Sequence, residues 1–231
     1  MIYRFFIGFD PRQCVSYNVC QFSILRRASR PISITPMVIE TLPIDRAGLT
    51  PFTYSRFLIP YLMGFKGWAL WLDSDILVWE DPLRIFDYAD PSKAVIVAEG
   101  VKPFERAAVM LFNCSHPDNR SLTPETVEAA DDLHRIGWTE PGYFPHRWNH
   151  CVGYSAPSED IGLIHYTMGV PAFAETRDCE HQEKWVAELR LMNSVKSWAE
   201  LMGNSVHAIQ TPDGPQPAYK AAKWDSPTIQ I

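Results

Sequence analysis

Two aspartates interrupt an otherwise apolar segment, residues 68–79, and their type and spacing suit them to hold a cation. Burying an unpaired carboxylate costs on the order of several kcal/mol, so a buried pair needs a compensating charge. In extended backbone, residues two positions apart point to the same side. Asp73 and Asp75 are therefore expected to present oxygens to one ion, with Ser74 adding hydroxyl or backbone contacts. Oxygen ligands favour Mg²⁺ or Mn²⁺, and phosphate oxygens can fill the remaining positions, so the segment predicts a metal–diphosphate site.

A structural role for the two aspartates is the alternative interpretation of this segment. One carboxylate would cap the next helix and the other would pair with an arginine. The next predicted helix, residues 82–86, already has a candidate cap, because Asp81 precedes Pro82. The sequence therefore favours the metal interpretation.

The elements that must position these carboxylates alternate between β-rich and helical segments, which is typical of an α/β sheet covered by helices. Strands are predicted at residues 3–9, 32–39, 94–98 and 107–112, and the apolar run 68–72 has no decisive period. Helices are predicted at residues 15–27, 53–63, 124–136 and 180–202, the last with an apolar stripe that should pack on the sheet. We expect one domain over residues 1–203 and a polar tail or irregular wrap over 204–231, where four prolines interrupt any period.

Composition excludes several classes of protein. The chain has 231 residues, of which 46% are hydrophobic, so it can bury a sizeable core. Its 27 acidic residues outnumber 21 basic ones, giving a net charge of −6, and nucleic acid is therefore an unexpected partner. Five cysteines without a C-x-x-C pair fit a reduced, cytoplasmic chain. No run is long and apolar enough for a membrane span, and the amino-terminal segment meets charge too early for a signal peptide.

A family resemblance is carried by two neighbouring motifs. Thr53-Tyr54-Ser55-Arg56, followed by an apolar helix and then by WLDSDILV, resembles the T-Y-x-R and hhYLDxDhhV motifs of glycosyltransferase family 8, the glycogenin and lipopolysaccharide galactosyltransferase group. The resemblance implies a single GT-A type domain with a mixed, mostly parallel sheet flanked by helices. It also implies a UDP-sugar donor, Mn²⁺, and retention of the anomeric configuration at the transferred sugar.

The resemblance also implies roles for individual residues around the nucleotide and the metal. His165, in the segment Gly162–Tyr166, looks like the family's third protein ligand to the metal, and imidazole favours Mn²⁺ over Mg²⁺. Arg56 looks like the arginine that reaches the nucleotide-sugar. The loop after the first strand resembles the family's uracil and ribose contact; its residues are Gly8, Phe9 and Asp10.

A further segment resembles the family's L-P-x-x-(aromatic)-N loop beside the donor sugar and the acceptor, a saccharide or another hydroxyl compound. Its matched residues are His146, Trp148 and Asn149. Asn149 and Asp75 are the expected catalytic residues, Asn149 as a positioning amide and Asp75 through the metal. No acid in this region matches a motif for a nucleophile or base.

The sequence departs from the family pattern at two places. The family places a lysine on the diphosphate shortly after the histidine, whereas His165 is followed by YTMGVPAF, in which no lysine occurs. The family's F-N-(A/S)-G segment appears as Arg106-Ala107-Ala108-Val109, which lacks the sugar-binding asparagine. These departures indicate a distant or separate branch.

Two other functions fit part of the pattern. A haloacid-dehalogenase-type phosphohydrolase also carries D-x-D after an apolar strand, but its motif lies near the start of the domain. It also needs later paired acids, and Asp131-Asp132 fall in a predicted helix. A nonenzymatic binder of nucleotide-sugars is compatible with the missing family contacts.

Two local constellations carry weaker hypotheses. His146, His150 and Cys151 allow a zinc site if they lie on a helix, but Pro145 favours a loop. The adjacent residues Cys179-Glu180-His181 do not form a catalytic triad, and a helix start is the simpler interpretation. Phosphate-binding and dinucleotide-binding glycine motifs are missing from the sequence.

Overall fold

A computed structural model describes residues 2–101, 103–130 and 140–217, without the side chains of Pro103 and Phe104. The chain divides into two compact units, residues 1–192 and 193–231. All five cysteines are free thiols. No helix within the described ranges has the length and apolar character needed to cross a membrane.

The first unit is built on a six-stranded sheet with the order β2-β1-β3-β6-β5-β7. Five of these strands are mutually parallel, and β6 runs against both of its neighbours. This confirms the predicted mixed, mostly parallel sheet. The strands are β1 Tyr3–Gly8, β2 Ile32–Met37, β3 Trp68–Leu72, β5 Val95–Ala98, β6 Val109–Asn113 and β7 Gly142–Phe144.

Both faces of this sheet are covered, which explains why its strands are almost continuously apolar. Phe5 belongs to one hydrophobic cluster together with Tyr17 of α1, Cys14–Arg27. Its neighbour Phe6 belongs to the cluster of the other face, together with Phe57. Phe57 lies in a short 3-10 helix, Ser55–Leu58, which continues into α2, Ile59–Leu62.

A second, three-stranded sheet has the order β4-β9-β8. Its strands are β4 Ile76–Val78, β8 His150–Cys151 and β9 Leu163–His165. Helix α4, Gln182–Met192, packs on it through Trp185, which shares a cluster with Leu77 and Ile164. The part of the predicted apolar stripe that lies in α4 therefore packs on a sheet, through Trp185, Leu189 and Met192.

The predicted helix over residues 180–202 is wrong in its extent. Helix α4 ends at Met192, and a separate helix, α5, spans Trp198–Met202. Ser197 and Glu200 form a capping box, in which each side chain bonds the backbone N–H of the other residue, so a new helix starts there.

The prediction of irregular chain over residues 204–231 is corrected for residues 208–217, while residues 218–231 lie outside the described ranges. Strands β10, Ala208–Thr211, and β11, Gly214–Pro217, form an antiparallel hairpin in the second unit. Gly214 has a φ of 103°, a conformation that favours glycine at this turn.

Smaller differences concern the edges of elements. The helix predicted at 124–136 is observed as α3, Pro124–Ala129, and residues 131–136 lie outside the described ranges. The strand predicted at 107–112 is β6, Val109–Asn113, and the segment before it forms a 3-10 helix, Pro103–Ala108. Asp81 caps the predicted short helix, observed as a 3-10 helix over Pro82–Tyr88.

The topology brings several chain segments to one edge of the six-stranded sheet. The parallel strands β1 and β3 both end there with their carboxyl termini, and Leu72 at the end of β3 pairs with Val109. Because β6 is antiparallel, the residues that precede it arrive at the same edge. The candidate site lies at this edge.

Candidate functional site

The segment Asp73-Ser74-Asp75 forms a tight connection between β3 and β4 that the surrounding backbone holds in place. Asp73 N donates to Ala108 O at 2.9 Å, and Tyr166 N donates to Asp75 O at 3.1 Å. The Ser16 hydroxyl donates to Ser74 O at 3.0 Å. Ser74 and Asp75 lie in a turn, not in the extended backbone predicted from the sequence. The aspartates converge because the turn is anchored on both sides.

The carboxylates of Asp73 and Asp75 and the imidazole of His165 come together at this turn. One ligand atom from each residue lies within 4.8 Å of the other two. His165 Nε2 is 3.4 Å from Asp75 Oδ1, and the imidazole is 3% exposed. The three residues predicted as metal ligands are therefore neighbours in space.

Two oxygens of the turn have unused hydrogen-bonding capacity. Asp75 Oδ1 and Ser74 Oγ are buried, and neither makes a hydrogen bond to any residue that the structure describes. Buried polar atoms are almost always satisfied, so such oxygens indicate a missing partner. The donor set of two carboxylates and one imidazole fits a divalent cation.

Asp73 is held by two side chains that are themselves fixed. Its Oδ1 atom accepts a hydrogen bond from Trp71 Nε1 at 2.8 Å and lies 3.0 Å from Arg56 Nη2. Burial raises the pKa of Asp73 to about 6, against the opposing charge of Arg56. Arg56 therefore compensates part of the cost of burying the carboxylate.

Arg56 is buried, and most of its donors are used within the protein. Its Nη1 donates to Ala107 O, its Nε donates to Thr53 O at 2.9 Å, and its guanidinium lies over the Trp71 ring. The sequence predicted that Arg56 reaches the nucleotide-sugar. The structure places its guanidinium against Asp73, and the contact with the nucleotide-sugar stays a prediction.

Asn149 fixes the ring of His165. The Oδ1 atom of Asn149 is 3.0 Å from His165 Nδ1, and its Nδ2 donates to Glu105 O at 3.0 Å. An amide oxygen only accepts, so His165 Nδ1 is the donor and Nε2 is left to face Asp75. Asn149 is fully buried, so it is a positioning residue for His165 in this structure.

The protonation of His165 reflects the negative charge around it. Burial alone would lower the pKa of the imidazole, but Asp75, Cys151 and Asp73 raise that pKa well above its usual value. The negative charge that raises this pKa would also attract a cation to the same place.

Glu105 and Cys151 also lie beside His165, a position that the sequence did not predict for either residue. Glu105 Oε2 is 3.5 Å from His165 Nδ1, and Cys151 Sγ is 3.8 Å from the same atom. Burial raises the pKa of Glu105, while the charge of His165 lowers it. Cys151 lies beside His165 because β8 pairs with β9 in that register. No sequence motif marks either residue.

The predicted nucleotide contacts Gly8, Phe9 and Asp10 lie where β1 ends. At Gly8 a Cβ atom would come within 2.4 Å of the Phe52 ring, so the backbone approaches that ring closely. The Phe9 ring packs edge-on against Tyr17, with 5.4 Å between their centroids. Gly8 and Phe9 thus have structural contacts that already account for their residue types.

Asp10 lies at the rim of a cleft. Its carboxylate is buried and accepts hydrogen bonds from Arg12 N and Nε at 2.9 Å. The side-chain hydrogen bond from Arg12 lowers the pKa of Asp10. The cleft has a volume of about 370 Å³ and is lined by Asp10, Arg12, Gln13 and Phe173. It is a space beside the predicted uracil and ribose contact.

Two residues predicted to contact the sugar, His146 and Trp148 in the segment before β8, make contacts within the protein. His146 Nε2 lies 2.8 Å from Ser155 Oγ, and its Nδ1 lies 3.3 Å from Glu99 O. Trp148 is 1% exposed, and a Cβ atom at Gly162 would come within 2.4 Å of its ring. This burial leaves no face of the indole for a saccharide, which corrects the assignment of Trp148.

Comparisons with known proteins place this geometry in context. No family model matches the chain. Protein CDI of Arabidopsis thaliana is 32% identical over 228 residues, which cover 83% of this chain and 87% of the relative. The chain belongs to the Protein CDI family. A relationship at this identity and coverage extends over most of both proteins.

Solved structures identify the fold. The bifunctional glycosyltransferase WbbM gives a TM-score of 0.64 at 15% identity; the match covers 88% of this chain and 51% of WbbM, about half its length. GlyE of Streptococcus pneumoniae gives 0.64 at 15% identity, over 87% of this chain and 63% of GlyE. The galactosyltransferase LgtC, solved with donor and acceptor sugar analogs, gives 0.56 at 18% identity, over 88% and 99%. The chain therefore has the GT-A fold of family 8-type glycosyltransferases, as the resemblance implied.

Proposed function

We propose that this protein is a metal-dependent glycosyltransferase that moves a sugar from a UDP-sugar to a hydroxyl acceptor with retention of configuration. One observation carries the proposal: Asp73, Asp75 and His165 converge at the carboxyl edge of the sheet, and the Asp75 Oδ1 atom has no hydrogen bond within the described chain. Ligands bind at this edge in open α/β sheets. The fold supports the same activity.

Asp73, Asp75 and His165 are the residues that would hold the cation, Mn²⁺ in preference to Mg²⁺. A bound divalent cation would neutralise the charge that develops on the departing diphosphate. The chain's own contribution is to keep the three ligands in place. Arg56 fixes Asp73, and Asn149 fixes His165.

The donor's nucleotide is proposed to lie along the end of β1. The cleft beside Asp10 supplies space for a ribose and base. UDP as the nucleotide and retention at the sugar are proposed from the family resemblance. Asp75 acts through the cation in this proposal, whereas Asn149 acts by positioning His165.

Thermal melting with Mn²⁺ and a panel of nucleotides tests the proposal first. A ligand present at 100 times its dissociation constant adds about 2.7 kcal/mol to stability. We expect a rise in Tm that needs both Mn²⁺ and UDP, and that GDP, CDP and ADP do not reproduce. A shift with another nucleotide would contradict the UDP assignment while leaving the class intact.

Turnover then separates the enzyme from a nonenzymatic binder. With a UDP-sugar and Mn²⁺, we expect release of UDP that falls by at least about 100-fold in Asp73→Asn and Asp75→Asn, because each variant removes a charged ligand. Asp45→Asn, a change at an exposed carboxylate, is the matched control. Binding without release would support the binder. The GT-A fold removes the main support for the phosphohydrolase alternative.

A further inference from the structure

A second cluster of metal-ligating side chains lies around Glu180. Its carboxylate Oε1 is 3.4 Å from His150 Nε2 and 3.1 Å from His181 Nε2. One ligand atom from each of the three residues lies within 4.8 Å of the others. Ligand atoms that are about 2.0–2.1 Å from a tetrahedral Zn²⁺ lie roughly 3.3 Å from one another. The two measured separations match that spacing.

The two histidines of this cluster have unused ring nitrogens. His150 is 1% exposed. The Nε2 atoms of His150 and His181 are buried, and neither makes a hydrogen bond within the part of the chain that the structure describes. Both atoms face the carboxylate of Glu180, which is partly exposed and leaves a route to solvent. Two ring nitrogens therefore converge on one carboxylate oxygen without a well-formed hydrogen bond, which is an arrangement that a shared cation would hold.

Strand geometry separates this cluster from the Asp73 site. Cys151 pairs with His165, and the preceding residue, His150, pairs with Ile164. Paired residues share a face of the sheet, and consecutive residues point to opposite faces. His150 therefore lies on the face of the small sheet opposite to His165.

We propose that His150, Glu180 and His181 form a second metal site that takes a divalent ion of the zinc class. Two imidazoles and one carboxylate suit such an ion, and three protein ligands leave a fourth position for water. Because Glu180 and His181 directly precede α4, whereas His150 lies in β8, a bound ion ties the start of that helix to the small sheet. The site uses none of the ligands of the proposed transferase centre.

Lys184 opposes metal binding in the metal-free chain. Its ammonium lies 3.0 Å from His181 Nδ1 and can only donate, so that nitrogen accepts. An imidazole that binds a metal through Nε2 carries its proton on Nδ1. Lys184 must therefore turn away when the ion binds, and its long side chain permits this. Lys184→Met is expected to raise the affinity for Zn²⁺ several-fold.

Titration of the full chain with Zn²⁺ against a chromophoric chelator tests the site directly, without any donor nucleotide. We expect Glu180→Gln and His181→Gln each to remove one Zn²⁺ equivalent, or to weaken its binding by at least 100-fold, since outer-shell changes alone cost about 10–100-fold. Glu183→Gln and His207→Gln, at exposed positions, are matched controls and should retain the full stoichiometry. Both ligand variants change partly exposed side chains, and circular dichroism checks that they fold.

Cobalt supplies a second measurement that identifies the ligands. A Co²⁺ complex of this site should show visible d–d bands without the near-ultraviolet band of a cobalt–thiolate bond, and Glu180→Gln should remove the d–d bands. Three results would overturn the proposal. These are unchanged Zn²⁺ binding in both ligand variants, a thiolate band lost in Cys179→Ser, or a single bound ion that is lost only in His165→Gln. Failure of UDP-sugar turnover would leave it untouched.

Discussion

Asn149 is a buried amide that contacts a candidate metal ligand. It accepts a hydrogen bond from His165 and donates to Glu105 O, which uses both ends of its side chain inside the protein. The orientation of a histidine ligand is set by the bond that its other nitrogen makes. The value of Asn149 to the proposed function therefore lies in the metal affinity and not in the chemistry of the sugar.

Asn149→Ala is predicted to weaken Mn²⁺ binding in the presence of UDP by about 10–100-fold, because His165 loses the acceptor for its Nδ1 proton. Isothermal titration calorimetry with saturating UDP measures this change. Asn204→Ala, at an exposed position, is the control and should bind as the unmodified chain does. An affinity for Asn149→Ala within twofold of the unmodified chain would show that another contact holds His165.

For single residues, the sequence predicted the candidate metal ligands but not the residues that surround them. Asp73 and Asp75 stand out because acids in an apolar run demand an explanation, and His165 emerged from a family motif. Glu105 and Cys151 carry no such signal. Glu105 is near His165 because of the path of the chain just before β6, and Cys151 because β8 pairs with β9. Tertiary contacts of this kind leave no mark in local spacing.

At the scale of elements, one buried carboxylate joins α4 to α1. Glu188, 3% exposed, lies 2.8 Å from Arg26 Nη1 and 2.9 Å from Arg27 Nη2. Burial alone would raise the pKa of Glu188, but hydrogen bonds from Arg27 and Arg26 bring it below its usual value. The ion pair therefore stabilises the folded chain while Glu188 is ionised.

Glu188→Gln is predicted to lower the free energy of unfolding by about 2 kcal/mol at pH 7, the scale of hydrogen bonds to charged groups. Urea denaturation measures the loss, and Glu183→Gln on the exposed side of α4 should cost much less. Because the pKa is lower in the folded chain, the stabilisation is complete above the unfolded pKa and is lost as the pH falls through the folded value. The two curves should therefore converge only at a pH below the ordinary pKa of a glutamate. A difference in unfolding free energy that persists at such a low pH would show that the loss comes from packing and not from the ion pair.

The carboxyl-terminal elements show where sequence reasoning stopped short. Thr211-Pro212-Asp213-Gly214 is a recognisable turn signal, yet the prolines around it led to a prediction of irregular chain. The structure forms a hairpin there with Pro212 and Asp213 as its loop. Similarly, the apolar stripe of α4 seemed to run on to residue 202, while the capping box at Ser197 was available as a sign of a new helix.

At the scale of the whole molecule, the buried apolar residues that the structure describes all lie in the first unit. The three hydrophobic clusters draw on residues 3–192, and none of the described residues 193–217 is buried. The fold class followed from the alternation of strands and helices, whereas the division at residue 192 depends on contacts that a sequence does not display.

A chain of residues 1–192 is predicted to fold on its own, with cooperative melting and a Tm within about 5 °C of the full chain, since about 1 kcal/mol corresponds to roughly 2–4 °C at this size. Differential scanning calorimetry compares the two chains. A chain that ends at residue 174 is the control, because it lacks Trp185 and Glu188 and should not melt cooperatively. Loss of cooperativity in 1–192 would show that the second unit contributes to the core.

The reversed strand β6 has a consequence for the order of events in folding. It allows Glu105, ahead of β6, to meet Asp75 after β3 and His165 in β9, so the site joins positions that are 30 to 90 residues apart in the chain. Closing loops of this length is entropically costly and slow, and contacts of large sequence separation form late. During refolding, affinity for Mn²⁺ should therefore arise with the final kinetic phase. Metal binding would then report the fully folded chain and not an earlier folding intermediate.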